Sequence, residues 1–240
     1  AKLREQAELQ LHRRETGEDV YRLLEPQPDA GFALLPDPSP GDLFFDFEGN
    51  PFWDKDGSLE YLWGILDVEG DFTPLHAHDH ETERIAFETF VDLVHERLAR
   101  FPDLHVYHYA AYEITALKRL MGRYGTREAE LDDLLRRGVF VDLLKVVRNG
   151  LRASRPGYGL KELEAFLDFE RQAEVKDGGT SIVIFEQWMQ TGDQALLDQI
   201  DAYNREDCIA TRLLRDWLLE RRAGALETFG PFPLPEPKEP

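Results

Sequence analysis

The chain has 240 residues, 42% apolar and 31% charged, enough to bury a sizeable core and the balance of a globular protein; collagen-like, coiled-coil and miniprotein readings are excluded. Its 47 acidic against 28 basic residues give a formal net charge of −19, so a phosphate-rich partner can bind only where positive charge is gathered locally or supplied by another molecule. One cysteine, Cys208, excludes an intramolecular disulfide framework and a cysteine-cluster zinc site, and it suits a reducing, cytoplasmic setting.

Taken in chain order, residues 1–40 read as an N-terminal helix, over 1–24, followed by a proline-rich linker. The chain starts with neither an initiator Met nor an apolar leader, and a larger parent protein is expected. Ten of the 14 prolines fall in 26–40 and 231–240, so 230–240 reads as a second linker and 41–229 as the body. Within the body, 43–47, 60–68 and 72–75 are β-type runs, separated by turn signals at Gly49-Asn50-Pro51 and 54–58, and they form a meander. A helix follows over 82–99, where Ile85, Phe87, Phe90, Val91, Val94 and Leu98 approximate helical spacing and Asp79 or Thr82 caps the start. Then come a strand at 104–107, a helix at 112–124, a strand at 139–142, and helices at 143–149, 160–167, 182–191 and 194–222. The order βββαβαβ followed by helices is that of an α/β domain. No apolar run reaches the roughly 20 residues that span a bilayer, so no membrane partner is expected.

Two segments carry the chemistry. In Asp42-Leu43-Phe44-Phe45-Asp46-Phe47-Glu48-Gly49-Asn50 the i, i+2 spacing places Asp46 and Glu48 on one face of a strand. Two anions side by side near a core are costly unless a divalent cation neutralises them; the alternative is a strand end entering a polar turn. In Asp201-Ala202-Tyr203-Asn204-Arg205-Glu206-Asp207-Cys208, Tyr203 and Asp207 are i and i+4 on a helix and share a face; such a pair is common by chance and, taken alone, reads as structural.

Together, the strand-borne Asp-x-Glu, an acid after a later strand and a late Tyr-x-x-x-Asp resemble the tyrosine variant of the DEDD exonucleases, on the ribonuclease H-like fold. The resemblance spans 41–220 and implies a mixed central sheet, its first three strands a meander, flanked by helices. The segments DFEGNPF, YHYAAYE and YNREDC are similar to the ribonuclease H-like domain of multidomain bacterial proteins that also carry a RecB-like nuclease domain and a superfamily 1 helicase. It implies neighbouring nuclease and helicase domains as partners, and single-stranded DNA or RNA as substrate. Glu113 stands where the family has an aspartate, a departure that bears on activity. By this resemblance Asp46 bridges two ions, Mg2+ or Mn2+, Glu48 and Asp207 hold the ion that activates water, and Glu113 supports the second ion. Tyr203 then positions the attacking water, and Ala202 occupies the place that the histidine variant uses.

A two-ion site suits phosphodiester hydrolysis because it activates water and neutralises both the attacking and the leaving oxygen. Oxygen ligands without cysteine suit Mg2+ or Mn2+. Asp142, at a strand end, is an auxiliary acid or a helix N-cap. Between residues 114 and 161 there are 11 bases against five acids, either a phosphate-binding face that includes Lys118, Arg119, Lys145, Arg148 and Arg152, or solvated helix faces. Phe52 and Trp53 could stack on a terminal base or pack in the core. His76, His78 and His80 read as a surface turn before a helix rather than a metal site, and Cys208 as a packing residue. The sequence therefore predicts a metal-dependent 3′–5′ exonuclease domain. Two alternatives remain: a catalytically degraded module that binds nucleic acid or docks partner domains, and a ribonuclease H-type endonuclease.

Overall fold

The computed structural model describes residues 2–55 and 57–235. Helix α1 (Lys2–Thr16) and strand β1 (Tyr21–Leu23) come first, then a 3-10 turn at Gly31–Leu34. The body begins with β2 (Leu43–Asp54), β3 (Gly57–Asp67) and β4 (Phe72–His76), an antiparallel meander. Helix α2 (His80–Arg100) crosses back to β5 (Val106–His108), which lies parallel to β2. Helices α3 (Tyr112–Tyr124) and α4 (Glu128–Arg137) lead to β6 (Phe140–Asp142), parallel to β5. Helix α5 (Leu143–Gly150), β7 (Leu151–Ala153), the short α6 (Leu160–Leu163), α7 (Gly178–Thr191) and the long α8 (Gln194–Phe229) complete the chain. The sheet order is β4-β3-β2-β5-β6, with β1 and β7 paired separately. This is the mixed sheet, opening with a meander and flanked by helices, of the ribonuclease H-like fold.

The alternation along β2 divides the core. Leu43, Phe45 and Phe47 face α2, α3 and α4, with Phe45 stacked on Phe90 at 4.1 Å. Phe44 faces α5 and α8 and stacks on Tyr107 at 5.5 Å. By the two-residue period, Asp46 and Glu48 share the Phe44 side, toward α8.

The predicted turn at Gly49-Asn50-Pro51 is not the reversal. β2 runs on to Asp54, its register slipping between Glu48 and Gly49, and the chain turns between Asp54 and Gly57, which has φ +124°. Gly49 is required by close approach, since a Cβ there would lie 2.1 Å from the Glu60 carboxylate. Helix α4 was not predicted, although Leu131, Leu134 and Leu135 have the spacing for it; left-handed Gly125 closes α3 before it, and Arg127 and Gly138, also left-handed, bound α4 itself. Strands β1 and β7, three residues each, are too short for a periodic signal.

Residues 2–40 pack on the body. Leu9, Phe32 and Leu35 are buried, Gln6 Nε2 donates to the Ala153 carbonyl at 2.7 Å and Arg222 Nη1 to that of Leu35 at 2.7 Å. Helix α8 continues to Phe229, beyond the predicted 222. Pro237 and Pro240 lie outside the described residues. No helix among the described residues is long and apolar enough to cross a membrane.

Candidate active site

Carboxylates from two elements converge on the α8 side of the sheet. Asp46 and Glu48 come from β2 and Asp207 from α8, and one oxygen of each lies within 4.8 Å of the others. α8 reaches this position because β3 presents no side chain at Gly64, the residue paired with Asp46. A Cβ on Gly64 would sit 1.6 Å from Asn204 Oδ1; with that space open, Asn204 Nδ2 donates to Asp46 Oδ2 at 2.8 Å. Cys208, fully buried, donates its thiol to the Gly64 carbonyl at 3.4 Å and is a packing residue.

Burial and mutual repulsion shape the charge. Desolvation first, then Asp207, Glu48 and Glu113, hold Asp46 well above the carboxylate range. Glu48 is pushed from 4.5 to about 8 by burial and by Asp207. Burial also raises Asp207, against the pull of Arg171. Such a set of oxygen donors, only partly compensated by Arg171 and Lys161, fits a hard divalent cation.

Tyr203 is buried one turn before Asp207. Desolvation, then Asp207, Glu48 and Asp46, raise its phenol above the ordinary value, so it stays protonated and can donate. Lys161 Nζ donates to the Tyr203 hydroxyl at 3.1 Å and lies 4.8 Å from the ring centroid. Arg171 Nη2 donates to Asp207 Oδ1 at 2.5 Å and to Glu164 Oε1 at 2.5 Å.

Glu113 opens α3, buried, and bonds to His108 Nδ1 at 3.2 Å. It is near enough to raise Asp46 but is not one of the three grouped carboxylates. Burial raises Glu113 too, opposed by His108. Asp142 Oδ1 accepts from Leu144 N at 3.0 Å, capping α5, and from Ala110 N at 3.1 Å.

The other predicted residues are scattered. Phe52 is 90% exposed on the β2–β3 hairpin, whereas Trp53 packs on Phe185 with centroids 5.7 Å apart. Arg119 is paired with Glu60 and bonded to Ser58. Lys145 lies 3.7 Å from Asp142. Lys118 and Lys145 line a cavity of about 420 Å³ floored by Ile114, Leu135, Phe140 and Val141. Arg152 Nη1 donates to the Arg148 carbonyl at 3.0 Å. The basic stretch is largely consumed by ion pairs, including Arg123–Glu83, Arg127–Asp92, Arg137–Asp133 and Arg155–Asp19. The three histidines do not gather: His76 bonds Asp201 at 2.7 Å, His78 packs at a tilt against Trp188, and His80 bonds Glu83 and Asp54.

Asn204, Arg171 and Gly64 were not singled out in the sequence, whereas Lys161 was read only as one of the 11 bases of 114–161 and His108 only as part of the YHYAAYE strand end, without a catalytic role. Asn204 sits between Tyr203 and Asp207, within the motif, and was within reach. Arg171 and Gly64 come from separate elements and carried no local signal.

A five-stranded mixed sheet with an acid pair on its first long strand, and a third acid delivered to it by the last helix, defines a ribonuclease H-like domain. A family model described as the RNase H superfamily matches residues 43–219, and the chain belongs to that superfamily, whose domains are generally nucleases that use divalent metal ions. Comparison with curated proteins found no match, and neither did comparison with solved structures.

Proposed function

We propose that residues 41–229 are a 3′–5′ exonuclease domain of the tyrosine class, hydrolysing phosphodiester bonds of single-stranded DNA or RNA. The observation that carries this reading is the meeting of Asp46, Glu48 and Asp207 with a buried, protonated Tyr203 one turn along the same helix. Asp46, Glu48 and Asp207 would hold Mg2+ or Mn2+, with Glu113 supporting a second ion; bound there, the pair supplies water activation and neutralisation of charge on the phosphate. The chain's own residues do the rest. Asn204 orients the Asp46 carboxylate. Tyr203 donates its phenolic proton in a hydrogen bond to the attacking water and so aims it, a positioning role that needs no ionisation. His108 holds Glu113 in one orientation. Phe52, exposed on the hairpin, offers a face for a terminal base, and Lys118, Lys145, Arg148 and Arg152 offer contacts to the backbone of the strand. The net charge of −19 suits a module to which neighbouring nuclease and helicase domains of a larger, cytoplasmic protein deliver the strand.

A second reading, a module that binds nucleic acid without hydrolysing it, is favoured by one observation: Glu113 is engaged by His108 and stands outside the grouped carboxylates. Labelled single strands test both. Hydrolysis with Mn2+, none with chelator, resistance of a 3′-blocked or circular strand, and loss in Asp46→Asn and Asp207→Asn are expected. Cleavage of the circle at the linear rate would make the enzyme an endonuclease, and strand binding without hydrolysis under any divalent ion would leave the second reading.

A further inference from the structure

A site built of carboxylates must still hold a polyanion, and its compensating charge comes from one stretch of chain. Lys161, opening α6, and Arg171, in the loop before α7, both approach the Tyr203 ring, at 4.8 and 5.8 Å from its centroid. The Arg171 loop is fastened to α8, because the backbone N–H groups of Gln172 and Ala173 donate to Glu206 Oε1 at 2.6 and 2.9 Å, and Ala173 and Val175 pack on Tyr203. Within the guanidinium, Nε and Nη2 are taken by Glu164 and Asp207. Nη1 is buried beside them with no partner among the described residues. A buried guanidinium with an unused donor is costly unless an acceptor arrives. Its fork matches phosphate oxygens.

The structure assigns the phosphate-binding half of the site to Arg171 and Lys161, with the phosphodiester of the bound strand as ligand. This rests on the reading of Asp46, Glu48 and Asp207 as cation ligands. In the chain as it stands, Arg171 is the counterion of Asp207. Once a cation engages Asp207, Arg171 keeps Glu164 and offers Nη1 and Nη2 to the phosphate oxygens, while Lys161, exposed and beside the Tyr203 hydroxyl, makes a second contact. The same guanidinium thus opposes the metal and favours the strand.

That opposition is the test. Mn2+ affinity is read from thermal shift, and strand affinity from anisotropy of a labelled phosphorothioate single strand with and without Mn2+. Arg171→Gln should lower the Mn2+ concentration for half-maximal shift about 3- to 10-fold, since a competing charge is gone. It should weaken strand binding in Mn2+ about 10-fold and reduce the salt dependence of log Kd by about 0.7, one phosphate contact on a single strand. In chelator its strand affinity should match wild type. Lys161→Met should weaken the strand about 3- to 10-fold and raise Mn2+ affinity by less than Arg171→Gln does, since Lys161 acts on Glu48 and Asp207 through its charge and bonds neither. Arg171→Lys, which keeps the charge and loses the fork, should fall between and guards against a folding defect in Arg171→Gln. A purely structural role would weaken metal and strand together, and that result, or unchanged strand affinity in Arg171→Gln, overturns the inference while leaving the carboxylate centre intact. If wild type shows no Mn2+ shift at all, the cation reading falls and the inference with it.

Discussion

Glu48→Gln in the metal-free chain gives the sharpest physical check on the carboxylate centre. Glu48 is 5% exposed, and burial together with Asp207 raises its pKa from 4.5 to about 8. A raised pKa means that the folded state binds the proton more tightly than the unfolded chain. The stability tied to that proton is fully present below about 4.5 and is lost as pH rises towards about 8. Integrated over that window at ~1.36 kcal/mol per pH unit, the loss at pH 8 is about 4 kcal/mol. Glutamine keeps the shape and carries no charge at any pH. In chelator at pH 8, Glu48→Gln should therefore be more stable than wild type by about 2–4 kcal/mol, part of the gain being offset by weaker hydrogen bonds to Ser181 and Asn204. At pH 5 the two should agree within about 1 kcal/mol. Urea unfolding at pH 5, 6.5 and 8 measures this, and the thermal counterpart is a rise of about 5–15 °C at pH 8. Saturating Mn2+ at pH 8 should reverse the order, because only wild type retains the full ligand set. If the two chains unfold together at pH 8 in chelator, or the variant is the weaker, Glu48 is not a desolvated anion and the reasoning fails.

Other outcomes follow from the same geometry. Tyr203→Phe removes one hydroxyl and no ligand, so turnover should fall about 10- to 10³-fold, ~1–4 kcal/mol of barrier, while the Mn2+ thermal shift stays put; a parallel loss of Mn2+ affinity would assign the tyrosine to the fold instead. Gly64→Ala puts a methyl 1.6 Å from Asn204 Oδ1 and should cost about 1–3 kcal/mol of stability, with at least a tenfold loss of activity as Asp46 is freed. Combined with Asn204→Ala it should cost less than the sum of the two single changes, and strict additivity in a double-mutant cycle would show that the clash does not govern the site.

Apart from α4 and the short β7, the order of elements in the body was legible, because the longer strands and helices carry their own periodicity. The apolar alternation of 43–47 marks β2, and the Ile85 to Leu98 series marks α2. The two acids of β2 and the Tyr203–Asp207 pair were legible for the same reason: within a strand or a helix, a spacing of two or four residues determines a shared face. What joins those faces is tertiary. Asp207 meets Asp46 because Gly64, on the neighbouring strand, leaves open the space that Asn204 of the same helix fills. His108 reaches Glu113 across a turn whose Ala110 has φ +75°, and Arg171 reaches Asp207 from 36 positions away. The basic stretch at 114–161 shows the limit from the other side: a count of charges is sequence-local, but Arg123, Arg127, Arg137 and Arg155 are spent on acids, and three of those acids, Glu83, Asp92 and Asp19, are distant in the chain. Composition supplies the charges, and the fold alone decides which remain for a ligand, because ion pairs depend on distance in space and not along the chain.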